Sequence, residues 1–226
     1  MTQLALPLQL EDHAVFESFW PAGNETLLAW LAAIADGSER MGCWIWGGGA
    51  TGKSHLLQAV CARAGDDAIF VAAADAGGIG PEVLDGLASR RIVCLDDVDR
   101  VAGRDDWELA LFDLTNQLAD AGGTLLVSAA APPREAGIVL PDLSSRLRRL
   151  PSFQLRALPE PERILALKLR ARHRGLELPD DTAAWLLSRG RRDMASLYGA
   201  LDRLDAEALR AQRRLTIPFA RDVLGL

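Results

Sequence analysis

The segment Gly47-Gly48-Gly49-Ala50-Thr51-Gly52-Lys53-Ser54 sets a lysine and a hydroxyl directly behind a glycine-rich loop. It fits the spacing G-x-x-x-x-G-K-[ST], in which each residue type serves phosphate chemistry. Glycines let backbone N–H groups converge on the α- and β-phosphates. The lysine ammonium reaches the β- and γ-phosphates, and the serine hydroxyl ligates Mg²⁺. Composition singles out Lys53 as well. Of 25 basic residues only Lys53 and Lys168 are lysines. Arginine serves wherever a generic positive charge suffices, and lysine is kept where a compact ammonium is needed instead of a planar fork.

A second chemical element follows. Ile92-Val93-Cys94-Leu95-Asp96-Asp97 is an apolar run closed by two carboxylates. Mg²⁺ takes oxygen ligands, directly or through water, and a carboxylate at the C-terminal end of a strand lies beside a phosphate loop. Asp96 is thus a candidate metal ligand with Ser54, and Asp97 can orient or deprotonate an attacking water. Asp99 reads as a surface residue of the next turn.

These groups need a scaffold, and the hydrophobic pattern supplies one. Strands are expected at 42–46, 67–72, 91–96, 124–128 and 152–155. Helices are expected at 53–63, 81–88 with Pro81 at the first position, 106–120 and 141–149. Asn24 is placed as the N-cap of an earlier amphipathic helix ending near Gly37. Alternating strands and helices imply a parallel sheet wrapped by helices. After Pro159 the strand signal stops, and 160–174, 180–189, 193–211 and 217–224 read as helical. The fold class is α/β with a C-terminal all-helical lid, divided as a tail (1–12), a nucleotide-binding base (13–158) and a lid (159–226).

With 226 residues, 49% of them apolar, the chain can bury a sizeable core. No apolar run approaches a membrane span, and no signal peptide is expected. Three cysteines without metal-ligand spacing suit a reducing, cytoplasmic setting. Net charge is −6 but uneven: residues 1–158 carry 12 basic and 21 acidic side chains, and the remainder 13 and 10. That mild basic excess in the lid is no strong nucleic-acid footprint.

The motifs, with a helical lid after them, resemble the AAA+ class. Within it they resemble the family of the bacterial replication initiator DnaA, including its short regulatory branch, Hda. Phe16-Glu17-Ser18-Phe19-Trp20-Pro21, Gly52 to Leu57, Asp96 to Asp99, Leu143-Ser144-Ser145-Arg146-Leu147 and Leu215-Thr216-Ile217-Pro218-Phe219 carry the match, over essentially the whole chain. The initiator's C-terminal DNA-binding domain would have to follow Leu226. The resemblance implies ATP or ADP with Mg²⁺ as ligand, contacted by Gly47, Gly48, Gly49, Ala50, Thr51, Gly52, Lys53, Ser54 and His55. Phe16, Phe19 and Asn24 would lie near the adenine. Gln3-Leu4-Ala5-Leu6-Pro7 matches the family peptide that docks on the β sliding clamp, with Gln3, Leu4, Leu6 and Pro7 as its contacts. Arg146 matches the arginine finger that reaches a nucleotide held by a neighbouring subunit.

Two positions depart from the family. Ala129 stands where the fourth strand should carry a polar sensor of the γ-phosphate, and Ala195 where the lid should carry a sensing arginine. Arg192 is one turn away from the latter. Such a site can bind phosphates yet stabilises poorly the charge developing on a γ-phosphoryl group. The resemblance therefore implies a regulator with weak or no ATPase of its own. Docked on the clamp and touching DNA only through it, the regulator stimulates hydrolysis of ATP bound to DnaA. Two alternatives stand beside this: an initiator-like loader or localisation factor for a replication protein, and a self-sufficient ATPase. Self-association and the working nucleotide stay open.

Overall fold

The computed structural model describes residues 14–73, 80–189 and 193–226. They form two compact units, a base of 14–16 with Gly23–Arg156 and a lid of Glu17–Ala22 with Ala157–Leu226. The clamp-peptide residues Gln3, Leu4, Leu6 and Pro7, and Arg192, lie outside the described residues.

In the base, five apolar runs form β1 (Cys43–Trp46), β2 (Ala68–Ala72), β3 (Ile92–Asp96), β4 (Thr124–Ala129) and β5 (Ser152–Gln154). The strands lie in the order β2-β3-β4-β1-β5, and every neighbouring pair is parallel. Burial explains their unbroken hydrophobicity, since β3 and β4 are buried at every position and a parallel sheet is covered on both faces. On one face Trp44, Val93, Leu95, Leu125 and Val127 share a core with Trp107, Leu111, Leu114 and Leu118 of α3 (Asp105–Ala121), and with Leu143 and Leu147 of α4 (Pro141–Leu147). The opposite face meets α2 (Lys53–Ala64), where Cys61 Sγ lies 3.7 Å from Cys94 Sγ. All three thiols are free and buried. Burial pushes the Cys43 thiol up to about 12, so these cysteines serve as small hydrophobes.

The first helix, α1 (Glu25–Ala35), begins after Asn24, whose side chain makes no capping bond. The Glu25 carboxylate instead reaches back to accept the Gly23 N–H at 3.1 Å. At the other end the Arg91 guanidinium donates to the Ile34 and Ala35 carbonyls at 2.9 and 2.8 Å, satisfying groups that the helix leaves unpaired. One expected element is different. The helix expected at 81–88 is a pair of 3₁₀ turns, Pro81–Leu84 and Leu87–Ser89. Asp85 is extended between them and Gly86 sits at φ +75°, a left-handed step that ends any α-helix.

The lid packs α5 (Glu160–His173), α6 (Asp180–Arg189), α7 (Met194–Ala211) and α8 (Ile217–Leu224) around Leu167, Leu186, Leu197, Leu201, Leu204 and Phe219. Asp193 caps α7 through the Ser196 N–H at 2.8 Å, and Thr216 caps α8. Arg174, just past α5, pairs with Asp202 of α7 at 2.5 Å. The Arg170 guanidinium lies 4.2 Å over the Tyr198 ring, whose hydroxyl is raised to about 12, chiefly by burial. Residues 17–22 fall in this unit and not in the base, where the sequence reading puts them. The reason is Trp20. Its indole packs against the lid core, and its Nε1 donates to Glu162 at 3.1 Å. No helix among the described residues is long and apolar enough to cross a membrane.

Candidate functional site

Strand β1 delivers the chain into Gly47, and α2 begins six residues later at Lys53. The loop between them is shaped by two left-handed residues, Ala50 at φ 57° and Gly52 at φ 101°. Ala50 is costly there, because a side chain strains that conformation. Thr51 Oγ1 braces the loop by donating to the Gly48 carbonyl at 2.9 Å. A Cβ added to Gly48 or Gly49 would meet nothing within 4 Å, which leaves room for a ligand against the backbone. Lys53 is buried, and its ammonium donates to the carbonyls of Gly47 and Gly48 at 3.1 and 3.2 Å. A buried cation whose hydrogen-bond partners are neutral carbonyls, at the start of a helix, fits a polyphosphate.

The acidic element lies at the end of β3. Asp96 is buried as the last strand residue, and the Ser128 hydroxyl of β4 donates to its Oδ1. Ser128 Oγ in turn accepts the Asp97 N–H at 3.0 Å. One serine thus fixes both carboxylate residues, and the second Asp96 oxygen is not used by it. Ser54, in the first turn of α2, and Asp96 are the residues that would hold Mg²⁺, which bound there would neutralise phosphate charge. Asp97 is held at φ 52°, ψ 47°, strained backbone of the kind found at functional positions. Asp99 is not the surface residue expected: it is half-buried and accepts the Ala130 N–H at 3.2 Å, pinning the chain just beyond β4.

The remaining predicted residues are dispersed. His55 Nε2 meets the Val15 carbonyl at 2.9 Å, so it ties α2 to the preceding chain. Phe16 lies under the Arg63 guanidinium at 5.9 Å. Asn24 is buried in the base, and Phe19 belongs to the lid. Ala129 is fully buried at the tip of β4, where its carbonyl accepts the Gly47 N–H at 3.3 Å, and its methyl offers no polar group. Ala195 is exposed on α7. Arg146 is exposed on α4, its guanidinium 5.2 Å from the centre of the Phe112 ring of α3. Sequence reading missed Ser128, Glu108 and Phe112; their partners lie far away along the chain, so no local signal marks them.

Asp97 carries a pH consequence. Its carboxyl is held above the usual carboxylate range, first by burial and next by the Asp96 charge, with the Lys53 ammonium opposing. A carboxyl raised in the folded state stabilises the fold when protonated. That contribution is complete below the unfolded value of about 4 and is lost as pH rises through the folded one. Asp97→Asn removes the ionised form, and asparagine tolerates left-handed backbone. Its melting temperature at pH 7 is expected to rise by about 1–2 °C, with the gap closing as pH falls to about 4. Calorimetry at both pH values checks this; an unchanged or lower melting temperature at pH 7 rejects it.

Comparison with known proteins places this geometry. Residues 160–224 match the family model described as Hda, lid domain. The chain is similar to domain III of the Thermotoga maritima replication initiation protein DnaA. That match has a TM-score of 0.76 and 19% identity, over 95% of this chain and 96% of that one. AMPPCP-bound DnaA from Aquifex aeolicus matches at TM-score 0.69 and 21% identity, over 86% of this chain and 65% of that one. The Thermotoga maritima RuvB Holliday junction branch migration motor matches at 0.63 and 16%, over 89% and 67%. The fold is that of the AAA+ P-loop class, a five-stranded parallel base with a helical C-terminal part. The match to Hda covers the lid alone, residues 160–224.

Proposed function

We propose that this chain is a DnaA-related regulator of replication initiation which binds ADP or ATP with Mg²⁺, docks on the β sliding clamp, and stimulates hydrolysis of ATP held by DnaA. The observation that carries the reading is Arg146. It projects exposed from a helix anchored in the base core by Leu143 and Leu147, while the chain's own strand tip offers only the methyl of Ala129. A guanidinium at the surface is available to a partner's phosphate. Ala129 offers the chain's own loop no polar group that would support efficient turnover, and Ala195 of the lid carries none either. The similarity to AMPPCP-bound DnaA, together with the buried Lys53 ammonium, supports nucleotide as the ligand of the loop.

The geometry supports a role for each group. Gly48 and Gly49 admit the phosphates to the backbone, Lys53 exchanges its carbonyl partners for them, and Ser128 holds Asp96 and Asp97 in register. Asp97 positions water for whatever slow turnover the chain has. In sequence, Gln3, Leu4, Leu6 and Pro7 supply a polar anchor and apolar side chains, a combination suited to a preformed groove on the clamp.

The test is single-turnover hydrolysis of ATP on DnaA, measured with clamp-loaded DNA, with and without this chain, alongside turnover by the chain alone. Stimulation that needs both clamp and chain is expected. Rapid turnover by the chain alone would identify a self-sufficient ATPase. Deleting residues 1–8 is expected to weaken clamp binding at least about tenfold, the loss of an apolar anchor or two, without changing nucleotide affinity. Equal clamp affinity of the truncated chain, by fluorescence anisotropy, would place the docking peptide elsewhere.

A further inference from the structure

Helix α3 passes behind α4 and carries two side chains whose placement is directed at the arginine-bearing helix. Glu108 is 2% exposed. Its Oε1 accepts the N–H groups of Gly103 and Val139 at 2.7 and 2.9 Å, and its Oε2 accepts those of Val139 and Leu140 at 3.0 and 2.5 Å. Leu140 is the N-cap residue of α4 and has no capping side chain of its own; Pro141 follows at the first helical position. A buried carboxylate from another helix therefore fixes the two residues that lead into α4, and its charge suits a helix N-terminus. Four residues on, and so on the same face of α3, Phe112 places its half-buried ring 5.2 Å under the Arg146 guanidinium. The ring also packs on the base core.

We propose that Glu108 and Phe112 are positioning residues for Arg146: the first fixes where α4 starts, and the second holds the guanidinium at the surface in one orientation. The proposal rests on the reading that Arg146 acts on a partner's nucleotide. Its physical content is preorganisation. An exposed arginine samples many rotamers, and each one frozen before the encounter raises the fraction of encounters that are productive. A ring face restrains a guanidinium through cation–π attraction and leaves its N–H donors in the ring plane free to fork onto phosphate oxygens. Glu108 contributes by removing freedom from the backbone that carries the arginine.

Phe112→Leu keeps apolar bulk and removes the ring, whereas Phe112→Trp keeps a ring. Phe112→Leu is expected to lower the maximal single-turnover rate of ATP hydrolysis on DnaA by about three- to fivefold, the worth of an exposed cation–π contact. The concentration giving half-maximal stimulation should not move, and Phe112→Trp should restore the rate. Glu108→Gln keeps the shape but turns an amide donor toward backbone N–H groups, and a fall of about tenfold is expected. The contact itself has a second, independent readout. In the isolated chain, NMR signals of the Arg146 side chain should carry an upfield ring-current shift that Phe112→Leu abolishes and Phe112→Trp keeps. Unchanged Arg146 shifts in Phe112→Leu overturn the proposal, whatever the partner assay shows. So does an undiminished rate in Phe112→Leu when Arg146→Ala is inactive. If Arg146→Ala itself stimulates normally, the trans reading fails instead, and that outcome is recognisable separately.

Discussion

Arg146→Ala is expected to reduce the stimulated single-turnover rate of ATP hydrolysis on DnaA by about 10³-fold, the lower end of what arginine fingers contribute where they have been measured. The side chain is exposed, and its neighbours Leu143 and Leu147 carry the packing of α4. Folding, nucleotide affinity and clamp affinity should therefore stay as in the parent. Arg146→Lys should fail almost as badly. A lysine ammonium keeps the charge but cannot make the planar two-donor contact with a γ-phosphoryl whose charge grows in the transition state. Rapid-quench measurement with radiolabelled ATP preloaded on DnaA reads all three proteins in one format. Stimulation by Arg146→Ala equal to that of the parent would reduce the chain to a tether.

A comparably large loss, this time in stability, is expected at the first glycine of the phosphate loop. A Cβ at Gly47 would lie 2.3 Å from the Leu155 carbonyl oxygen and 3.4 Å from Thr51 Oγ1. The obstruction is backbone, and it cannot swing aside as a side chain could. Leu155 is itself held by its N–H donating to the Trp46 carbonyl at 2.7 Å, and its side chain is buried. Gly47→Ala must therefore prise the end of β5 from β1, and a cost of about 3 kcal/mol is expected, the upper end for overpacking. In a chain of this size that lowers the melting temperature by roughly 6–12 °C. Gly48→Ala and Gly49→Ala meet open space, so they should leave the melting temperature within about 2 °C while weakening nucleotide binding. Thermal melts without nucleotide separate the two behaviours. Equal melting temperatures for Gly47→Ala and Gly48→Ala would show that β5 yields more easily than its hydrogen bonds suggest.

The contrast between these glycines also shows what a sequence can reveal. The phosphate loop is legible because its chemistry is local: lysine, serine and glycines are fixed by covalent spacing. All five strands lie within a residue of their expected ends, since apolar runs bounded by charged and glycine-rich stretches leave little choice in a parallel sheet. What could not be read is what depends on the fold. That Gly47 answers to Leu155 follows only once β5 lies beside β1. Ser128 looks like any strand serine until β3 and β4 pair and bring it to Asp96. Glu108 reads as an ordinary acidic residue in the first turn of a helix until the chain at Val139 returns to it. The pair of 3₁₀ turns at 81–89 was hidden for a related reason. Val83, Leu84 and Leu87 have helical spacing, and the left-handed step at Gly86 that breaks it is a backbone choice stabilised by burial of those side chains. The grouping of residues 17–22 with the lid turns likewise on a distant partner, Glu162 for Trp20.

The place of β1 in the sheet bears on how the protein can be made. Trp44 pairs with Val127 on one side and Ser152 on the other, so the strand that feeds the phosphate loop is synthesised first and flanked last. Until β4 and then β5 emerge, Cys43-Trp44-Ile45-Trp46 has two open edges and two apolar faces. Non-local parallel pairing of this kind folds slowly, and open apolar edges invite pairing with other chains. Translation rate and chaperone supply across the interval between residues 46 and 154 should then govern soluble yield more than the stability of the finished fold does. A base truncated before Ser152 would be left with an unpaired strand edge directly beside its nucleotide loop.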